Sequence, residues 1–157
     1  MTADFDAVFA TPFGALGVRT ADDAIAEIAF LPPETKLLAP RNALAAKAGK
    51  QLAAYLSDPK ARFDLPLKPA GTEFQRRVWK SIAAIPRGRT LTYGEIAGKL
   101  KNAPRAVGQA CGRNPFPVVV PCHRVVAADG GLGGFARQRG GFLLDVKRWL
   151  LEHEGAL

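Results

Sequence analysis

The first thirty residues alternate short apolar runs with turn residues. Apolar and β-branched positions cluster over 7–11, 14–19 and 24–30, and a Thr-Pro pair, a glycine and an Asp-Asp pair punctuate these clusters. Short apolar runs bounded by turn residues are typical of strands. The pattern therefore predicts a small antiparallel sheet built from these three segments.

A helical period replaces the strand pattern between 42 and 56. Its apolar residues recur at intervals that place them on one face, toward the core: Leu44, Ala48, Leu52, Ala53 and Leu56. The Ser-Asp-Pro sequence at 57–59 ends this helix. Prolines and a glycine within 60–71 predict a last strand and a linker, so we expect one domain over residues 1–70 and a second over 71–157.

Two helix starts after residue 71 share one capping pattern. A threonine followed three residues later by Gln or Glu occurs at 72–75 and again at 92–95, and each pair can satisfy exposed amides at a helix N-terminus. A third helix is expected over 105–111, because Pro104 suits the first helical position. The first of these helices has an apolar face made of Phe74, Val78, Ile82 and Ile85.

The second and third of these helices, joined by a tight turn at 101–103, predict a helix-turn-helix. Small residues dominate the third helix, and only Arg105 and Gln109 offer long polar side chains to base edges. Such a smooth helix suits close approach to the minor groove of DNA. Tight packing against a neighbouring helix would explain the small residues equally well.

The basic charge of the chain is confined to its second part. The net charge is +8, yet residues 1–70 hold eight Lys or Arg and eight Asp or Glu. From residue 71 onward fourteen basic residues stand against six acidic ones, and between 76 and 124 ten basic residues stand against Glu95 alone. Such a field attracts a polyanion. A basic surface that merely keeps the protein soluble remains the alternative.

Composition excludes several classes of protein. No apolar run approaches the ~18 residues that cross a bilayer, so no membrane role is expected. The N-terminal residues lack the features of a secretory signal, which favours a cytoplasmic location. The two cysteines, Cys111 and Cys122, are too few for a disulfide framework or a four-ligand metal site. No metal and no cofactor are therefore expected.

The most distinctive segment is the apolar run at 114–121, which leads into Cys122, His123 and Arg124. The thiolate is the reactive form of cysteine, and a nearby imidazole or positive charge lowers its pKa. Adjacent side chains on a regular strand point to opposite faces, so contact between Cys122 and His123 requires an irregular turn or a bridging water. Cys111 is interpreted as a packing residue.

Residues 121–125, Pro-Cys-His-Arg-Val, resemble the active-site signature of the O6-alkylguanine-DNA alkyltransferases, which are methylated-DNA–protein-cysteine methyltransferases. Further matching blocks lie in the family's order at 92–97, 104–108, 113–115 and 149–155. The resemblance implies an α+β fold, in which a small ribonuclease-H-like sheet-and-helix domain precedes a mostly helical, winged helix-turn-helix-like domain. Residues 1–70 match the family more loosely.

The resemblance implies a role for each residue that matches the family's pattern. Cys122 would attack the alkyl carbon, while His123, held by Glu154, removes the thiol proton through a water molecule. Tyr93 would donate a proton or a hydrogen bond to N3 of guanine. Asn114 would hold the turn that leads to the cysteine loop. These five residues form the expected catalytic set.

The resemblance also implies how DNA is held. Arg105 would enter the duplex and fill the gap left by a flipped nucleotide. The same helix and its end would contact DNA through Ala106, Gly108, Gln109, Ala110 and Arg113. The base would meet the carbonyl groups of Cys122 and Val125 and a loop containing Phe135 and Ala136. Relatives often have Tyr and Ser at these two loop positions, so the width of the base pocket stays open.

The expected function is DNA repair by direct reversal of damage. An alkyl group would pass to Cys122 from O6 of guanine, or from O4 of thymine, in double-stranded DNA. The resulting thioether has no carbonyl for water to attack, so the protein, expected to be a monomer, would act once. Two alternatives stay open: a protein that binds alkylated DNA without transfer, and a cysteine-dependent hydrolase built on Cys122 and His123.

Overall fold

The computed structural model describes residues 4–129, 131–132 and 141–157. The chain divides into two compact units, Met1–Pro69 and Ala70–Leu157. This division falls one residue before the boundary expected from the linker residues. In the described ranges, no helix combines the length and the apolar character needed to cross a membrane.

The first unit contains a three-stranded antiparallel sheet in the order β1, β2, β3. The strands are β1 (Ala7–Thr11), β2 (Gly14–Ala21) and β3 (Ala24–Leu31). Asp22 and Asp23 form the turn between β2 and β3 with φ of 53° and 59°, a left-handed conformation that aspartate tolerates. The sheet follows the alternation in the sequence, although β2 and β3 run further than predicted.

Helix α1 (Ala43–Ser57) begins at Asn42, whose side chain accepts a hydrogen bond from the Ala45 amide at 2.8 Å. The predicted core face of this helix is wrong at Ala53, which is exposed. The buried residues are Ala45, Ala48, Gly49, Leu52 and Tyr55. The ring of Phe9 on β1 explains the orientation, since a Cβ at Gly49 would lie 2.1 Å from Phe9 Cζ. The helix is turned so that its smallest residue meets the sheet.

No strand forms over residues 60–71, all of which are described, so the predicted last strand is wrong. Leu67 makes only an isolated parallel bridge with Ile25. The bridge is closed by hydrogen bonds from Ile25 N to Pro66 O at 2.7 Å and from Lys68 N to Ile25 O at 2.8 Å. Pro66 and Pro69 have no amide proton to donate, which prevents a longer ladder.

Three helices open the second unit: α2 (Glu73–Ala83), α3 (Tyr93–Leu100) and α4 (Pro104–Gly112). Both predicted capping boxes are formed, because the hydroxyl groups of Thr72 and Thr92 each accept from the amide three residues later, at 3.1 Å and 3.0 Å. Helix α3 ends at Lys101 in the left-handed conformation, with φ of 54°. Helix α4 follows directly across the short turn that the sequence predicted.

Buried contacts fix α4 within the second unit. The indole Nε1 of Trp79 on α2 donates to the carbonyl oxygen of Ala110 at 2.8 Å. Val107 and Ala110 are buried, whereas Arg105 and Gln109 are exposed. The small residues of α4 therefore allow close packing on one side, while its long polar side chains face solvent on the other.

A two-stranded parallel sheet links the start of α3 to the segment after Cys122. Strand β4 (Leu91–Thr92) pairs with β5 (Val125–Val126), and Leu91 lies opposite Val125. Because β4 runs directly into α3, this pairing brings the first residue of α3 close to the residues that follow Cys122. Helix α5 (Phe142–His153) then buries Val146, Leu150 and Leu151.

Candidate active site

Cys122 lies on a single 3-10 turn, Cys122–Arg124, between the loop at 114–121 and β5. Only 4% of this residue is exposed. Asn114 Nδ2 donates to Cys122 Sγ at 3.0 Å and to the Val120 carbonyl at 2.8 Å, and its Oδ1 accepts from the Phe116 amide at 2.9 Å. Asn114 therefore closes the loop and contacts the thiol.

The loop before Cys122 holds one residue in an unusual backbone conformation. Val118 has a φ of 76°, in the left-handed region where a β-branched side chain is crowded. Such a conformation costs about 1–3 kcal/mol and persists only where the surroundings enforce it. Val118 is buried, and the hydrogen bonds of Asn114 join the chain on both sides of it. The loop that presents the thiol is therefore held in one strained shape.

A chain of buried charged groups begins beside the thiol. His123 Nε2 lies 2.9 Å from Glu154 Oε2, and the side chains of both residues are fully buried. Arg124 binds the same carboxylate, donating from Nε to Oε1 at 2.9 Å and from Nη2 to Oε2 at 2.8 Å. Its Nη1 donates to the Ile85 carbonyl at 2.7 Å. Glu154, at the end of α5, is thus held by both residues that follow the cysteine.

The imidazole of His123 is neutral at neutral pH. Burial lowers its pKa below the ordinary value of 6.5, and this effect outweighs the opposing hydrogen bond and negative charge of Glu154. Because Nε2 faces the carboxylate, Nε2 carries the proton and Nδ1 is left as an acceptor. Among the described residues, none hydrogen-bonds to Nδ1. This nitrogen can therefore accept a proton.

Cys122 favours its protonated form, which corrects the expectation that its surroundings lower its pKa. A hydrogen bond with the thiol of Cys111 raises the pKa of Cys122 most, and burial and the charge of Cys111 raise it further. The hydrogen bond from Asn114 and the charge of Lys147 lower it but are outweighed. Because the raised pKa keeps the thiol of Cys122 protonated, its ionisation calls for a base.

Lys147 on α5 is a buried cation that the sequence analysis missed. Its Nζ donates to the carbonyl oxygen of Val125 at 2.7 Å and to that of Leu132. It also lies 5.8 Å from the centre of the Tyr93 ring. Burial lowers the pKa of Lys147 to about 8, while the charges of the two cysteines act to raise it. A positive charge is thus kept close to the candidate nucleophile.

The residues predicted to contact DNA divide between the surface and the core. The long polar side chains are exposed: Arg105, Gln109 and Arg113. Ala106 and Gly108 are half-buried, and a Cβ at Gly108 would lie 4.0 Å from the nearest ring carbons of Tyr93. Ala110 is buried, so its methyl group packs inside the unit rather than facing solvent. Tyr93 itself is half-buried at the start of α3.

The residues predicted to hold the base are described only in part. The carbonyl oxygen of the buried residue Val125 already accepts from Lys147 at 2.7 Å, although a carbonyl can accept a second hydrogen bond. Phe135 and Ala136 lie outside the described residues. In the part of the chain that the structure describes, no group of three or more His, Cys, Asp or Glu side chains could hold a metal ion.

Comparison with known proteins points to one family. Residues 73–156 match the model described as 6-O-methylguanine DNA methyltransferase, DNA binding domain. A methylated-DNA–protein-cysteine methyltransferase of Methanosarcina acetivorans is 39% identical over 157 residues, which cover 96% of this chain and 97% of that protein. One from Mycolicibacterium paratuberculosis is 49% identical over 111 residues, which cover 69% of this chain and 64% of the relative.

Solved structures give the same result. The crystal structure of Mycobacterium tuberculosis O6-methylguanine methyltransferase matches with a TM-score of 0.78 and 35% identity, covering 95% of this chain and 91% of that one. The structure of Mycobacterium tuberculosis OGT in complex with DNA matches over the same shares with a TM-score of 0.80 and 36% identity. The similarity therefore includes the first unit, where the sequence resemblance was loose.

Proposed function

The chain belongs to the 6-O-methylguanine DNA methyltransferase family, and from this premise we propose that it repairs DNA by moving an alkyl group from O6 of guanine to Sγ of Cys122. One observation carries the proposal: the residue after the cysteine is a buried imidazole, whose Nε2 lies 2.9 Å from a carboxylate that Arg124 also binds. This arrangement supplies a nucleophile and an oriented base within one turn of chain.

The proposed step requires only groups of the chain, one water molecule and the damaged base. His123 Nδ1 removes the Cys122 proton through the water, and Sγ attacks the alkyl carbon. The S–C bond forms as the C–O6 bond breaks, and the bonding electrons leave with the guanine oxygen. Tyr93 donates a hydrogen bond to N3 of the departing base and stabilises the negative charge there. The proton stays on His123, whose cationic form Glu154 stabilises.

The protonation states in the DNA-free chain support this order of events. The raised pKa of Cys122 keeps the thiol protonated, and the lowered pKa of His123 keeps the ring ready to accept that proton. Once the thiolate forms, the charge of Lys147 favours it, because that charge acts to lower the pKa of Cys122. The nucleophile is therefore generated by its base at the time of transfer rather than stored as an anion.

The transfer should occur once for each chain. The product is a thioether, and hydrolysis would require water to displace a thiolate from saturated carbon, with no carbonyl to activate. No group described around Cys122 provides for that step. The protein therefore acts as a stoichiometric reagent, and this property separates it from a cysteine-dependent hydrolase, which would turn over.

We further propose that α4 lies against the minor groove. Arg105, exposed at the start of the helix, would enter the duplex, and Arg113, exposed just after its end, would contact phosphates. The half-buried Ala106 and Gly108 leave room for the DNA backbone to approach closely. A nucleotide flipped past this helix would reach Tyr93, which lies beside Gly108.

Finer expectations about the fold and the partner belong to the same proposal. The antiparallel sheet packed against α1 supports a ribonuclease-H-like description of the first unit. Helices α3 and α4, with the β4–β5 pair, support a winged helix-turn-helix description of the second. Double-stranded DNA is the proposed partner of a monomer, and O4 of thymine is a second possible alkyl donor.

The decisive experiment measures the mass of one peptide. The protein is mixed with duplex DNA containing O6-methylguanine and digested with trypsin, which cuts after Arg113 and Arg124 and releases residues 114–124 with Cys122. We expect this peptide to gain one methyl group in place of a hydrogen while the guanine is restored, and unmethylated duplex should leave it unchanged. An unmodified peptide beside unrepaired DNA, or repair of more DNA than protein present, would overturn the proposal.

Cys122→Ala separates transfer from binding. The variant should transfer nothing, because it has no nucleophile, yet it should bind duplex DNA as the unchanged chain does, because Arg105 and the surrounding basic residues remain. A gel-shift titration beside the mass measurement tests both points. Loss of DNA binding in a folded variant would contradict the division between a reactive loop and a DNA-binding helix.

A further inference from the structure

One oxygen of a buried carboxylate joins the candidate base to an arginine that the proposed transfer does not use. Oε2 of Glu154 accepts from Arg124 Nη2 at 2.8 Å and lies 2.9 Å from His123 Nε2. The guanidinium also donates from Nε to Oε1 of Glu154 at 2.9 Å and from Nη1 to the Ile85 carbonyl at 2.7 Å. Each of the three nitrogens of Arg124 is therefore attached to a fixed acceptor.

These hydrogen bonds determine the orientation of the carboxylate. A guanidinium holds its N–H groups in one plane, and two bonds to one carboxylate keep both groups in that plane. The carbonyl of Ile85, which follows α2, anchors the third nitrogen. The side chain of Glu154 is fully buried. Because His123 binds an oxygen that is fixed in this way, its ring is held with Nε2 toward Glu154 and Nδ1 on the opposite side.

The charge of Arg124 also acts on the ring of His123. Two donors that share one oxygen lie within about 6 Å of each other, where like charges in a buried site repel. Glu154 favours a protonated ring, whereas the cations Arg124 and Lys147 oppose it, and the adjacent thiol of Cys122 keeps its proton. Helix α2, which also packs on this turn, has its charged side chains at exposed positions.

We propose that Arg124 is a positioning residue for the transfer: it holds Glu154 so that one oxygen orients His123, and its charge leaves the imidazole neutral and able to take the proton of Cys122. The assignment rests on the proposed function, since it names what prepares the base of that step. Its two parts are separable, because Arg124→Lys keeps the charge and loses the planar fork, while Arg124→Gln keeps a donor and loses the charge.

The dependence of the transfer rate on pH measures both parts. Single-turnover methyl transfer is followed with saturating duplex DNA that contains O6-methylguanine. In the unchanged chain the rate should fall as the pH falls through the pKa of His123, because a ring that already carries two protons cannot accept another. Arg124→Gln should move this fall upward by about one pH unit or more, and Arg124→Lys should leave it in place. Both variants should lower the rate above the fall by about tenfold, since each loses the fork.

Arg148→Met is the matched control, because it removes a positive charge from an exposed position of α5. It should change neither the rate nor the pH of the fall. If Arg124 had only a structural role, both of its variants would transfer more slowly by one factor at every pH. That result would overturn the proposal, and so would a fall that moves equally in both variants or an undiminished rate in both.

A second readout needs no DNA. In the His153→Gln background His123 is the only histidine, and NMR titration gives its pKa directly. Adding Arg124→Gln should raise this pKa by about one unit or more, whereas adding Arg124→Lys should not. If no methyl group is transferred but the pKa rises, the proposed function fails and the effect of Arg124 on His123 stands. If transfer occurs and the pKa stays the same, the proposal about Arg124 fails alone.

The unchanged chain provides a test that a folding defect in a variant cannot affect. Nitrogen NMR should show the neutral ring of His123 with its proton on Nε2. It should also show an Arg124 Nε proton that exchanges slowly with water, because that proton is bonded to a buried carboxylate. A ring protonated at Nδ1, or an Arg124 proton that exchanges as fast as those of exposed arginines, would contradict the proposed positioning.

Discussion

Neighbouring residues of the site have opposite protonation preferences. The thiol of Cys122 keeps its proton and the imidazole of His123 stays neutral, because the pKa of the first is raised and that of the second is lowered. Glu154 orients the imidazole, and Arg124 holds Glu154 through two hydrogen bonds. A protonated nucleophile beside a neutral base is the starting state that general base catalysis requires.

His123 should remain neutral well below the pH at which a free imidazole becomes charged. Its folded pKa is lowered, so between that value and 6.5 the unfolded chain binds a proton that the folded chain does not. The stability that this histidine contributes above pH 6.5 should therefore decline as the pH falls through that window. NMR titration of the imidazole signals, with urea unfolding across the same pH range, measures both effects.

A single substitution allows the titrating NMR signal to be assigned to His123. It has two histidines, and His153→Gln leaves only His123. In that variant the remaining signal should titrate below pH 6.5. A signal that titrates at or above 6.5 would show that the negative charge of Glu154 outweighs burial, and it would contradict the neutral base.

Several contacts of the candidate site could be predicted from the sequence. The resemblance paired His123 with Glu154 and placed Asn114 at the loop, and the structure contains both contacts. Arg124 and Lys147 were missed because their contacts depend on burial, which local sequence does not report directly. A partial signal existed for Lys147, since it lies three and four residues from the buried Leu150 and Leu151 on one helix.

At the scale of elements, α5 brings a charge into the core of the second unit. The helix buries Lys147 beside apolar residues and directs its Nζ to the carbonyl oxygen of Val125 on β5. Its end carries Glu154, which reaches the turn at 122–124. Helix α5 and the residue at its C-terminal end therefore supply one positive and one negative side chain, Lys147 and Glu154, that both contact the segment 122–125.

Because Lys147 is buried, the free energy of unfolding should change with pH in the alkaline range. Its folded pKa is about 8 against the ordinary 10.5, so between these values the unfolded chain binds the additional proton and stability rises with pH. The free energy of unfolding of the unchanged chain, relative to Lys147→Met, should therefore rise by up to about 3 kcal/mol across this window. Urea unfolding at a series of pH values measures the difference.

Arg148→Met is the matched control, since it removes a positive charge from the adjacent, exposed position of α5. Its unfolding free energy should follow that of the unchanged chain at every pH in the series. If the unfolding free energies of Lys147→Met and the unchanged chain differ by the same amount at every pH, the pKa of Lys147 is not lowered in the folded state. That result would contradict this prediction.

The elements were predictable where local chemistry determines them. Turn residues marked the strands of the first sheet, and both capping boxes formed at Thr72 and Thr92 as the sequence indicated. The predictions failed where the local structure depends on a packing or pairing partner that is distant in sequence. The rotation of α1 follows from Phe9 packing on Gly49, and the predicted strand over 60–71 failed because strand pairing depends on a neighbour as well as on apolar residues.

At the scale of the whole molecule, charge and chemistry occur in the same unit. The first unit is electrically balanced, whereas the second carries the entire net charge of +8. Arg105 and Arg113 contribute exposed charges on and beside α4, the helix that also carries Cys111. Affinity for DNA should therefore depend on the second unit and weaken as salt rises.

The double variant Arg105→Gln, Arg113→Gln should weaken DNA binding and its dependence on salt. Each phosphate contact contributes about 0.9 to the slope of log affinity against log salt, so the slope should fall by up to roughly 2. Filter binding over a salt series measures it. Lys36→Gln with Lys50→Gln removes the same charge from exposed positions of the first unit and should leave the slope nearly unchanged. Equal losses in both variants would contradict a localised DNA surface.

The hydrogen bond from Trp79 to the Ala110 carbonyl gives the molecule an intrinsic optical reporter. Indole emission depends on the polarity and hydrogen bonding around the ring, so the fluorescence of Trp79 reads out the position of the last turn of α4 without an attached dye. Replacing the other tryptophan, Trp149→Phe, leaves a single emitter. The arrival of DNA at α4 could then be followed in real time.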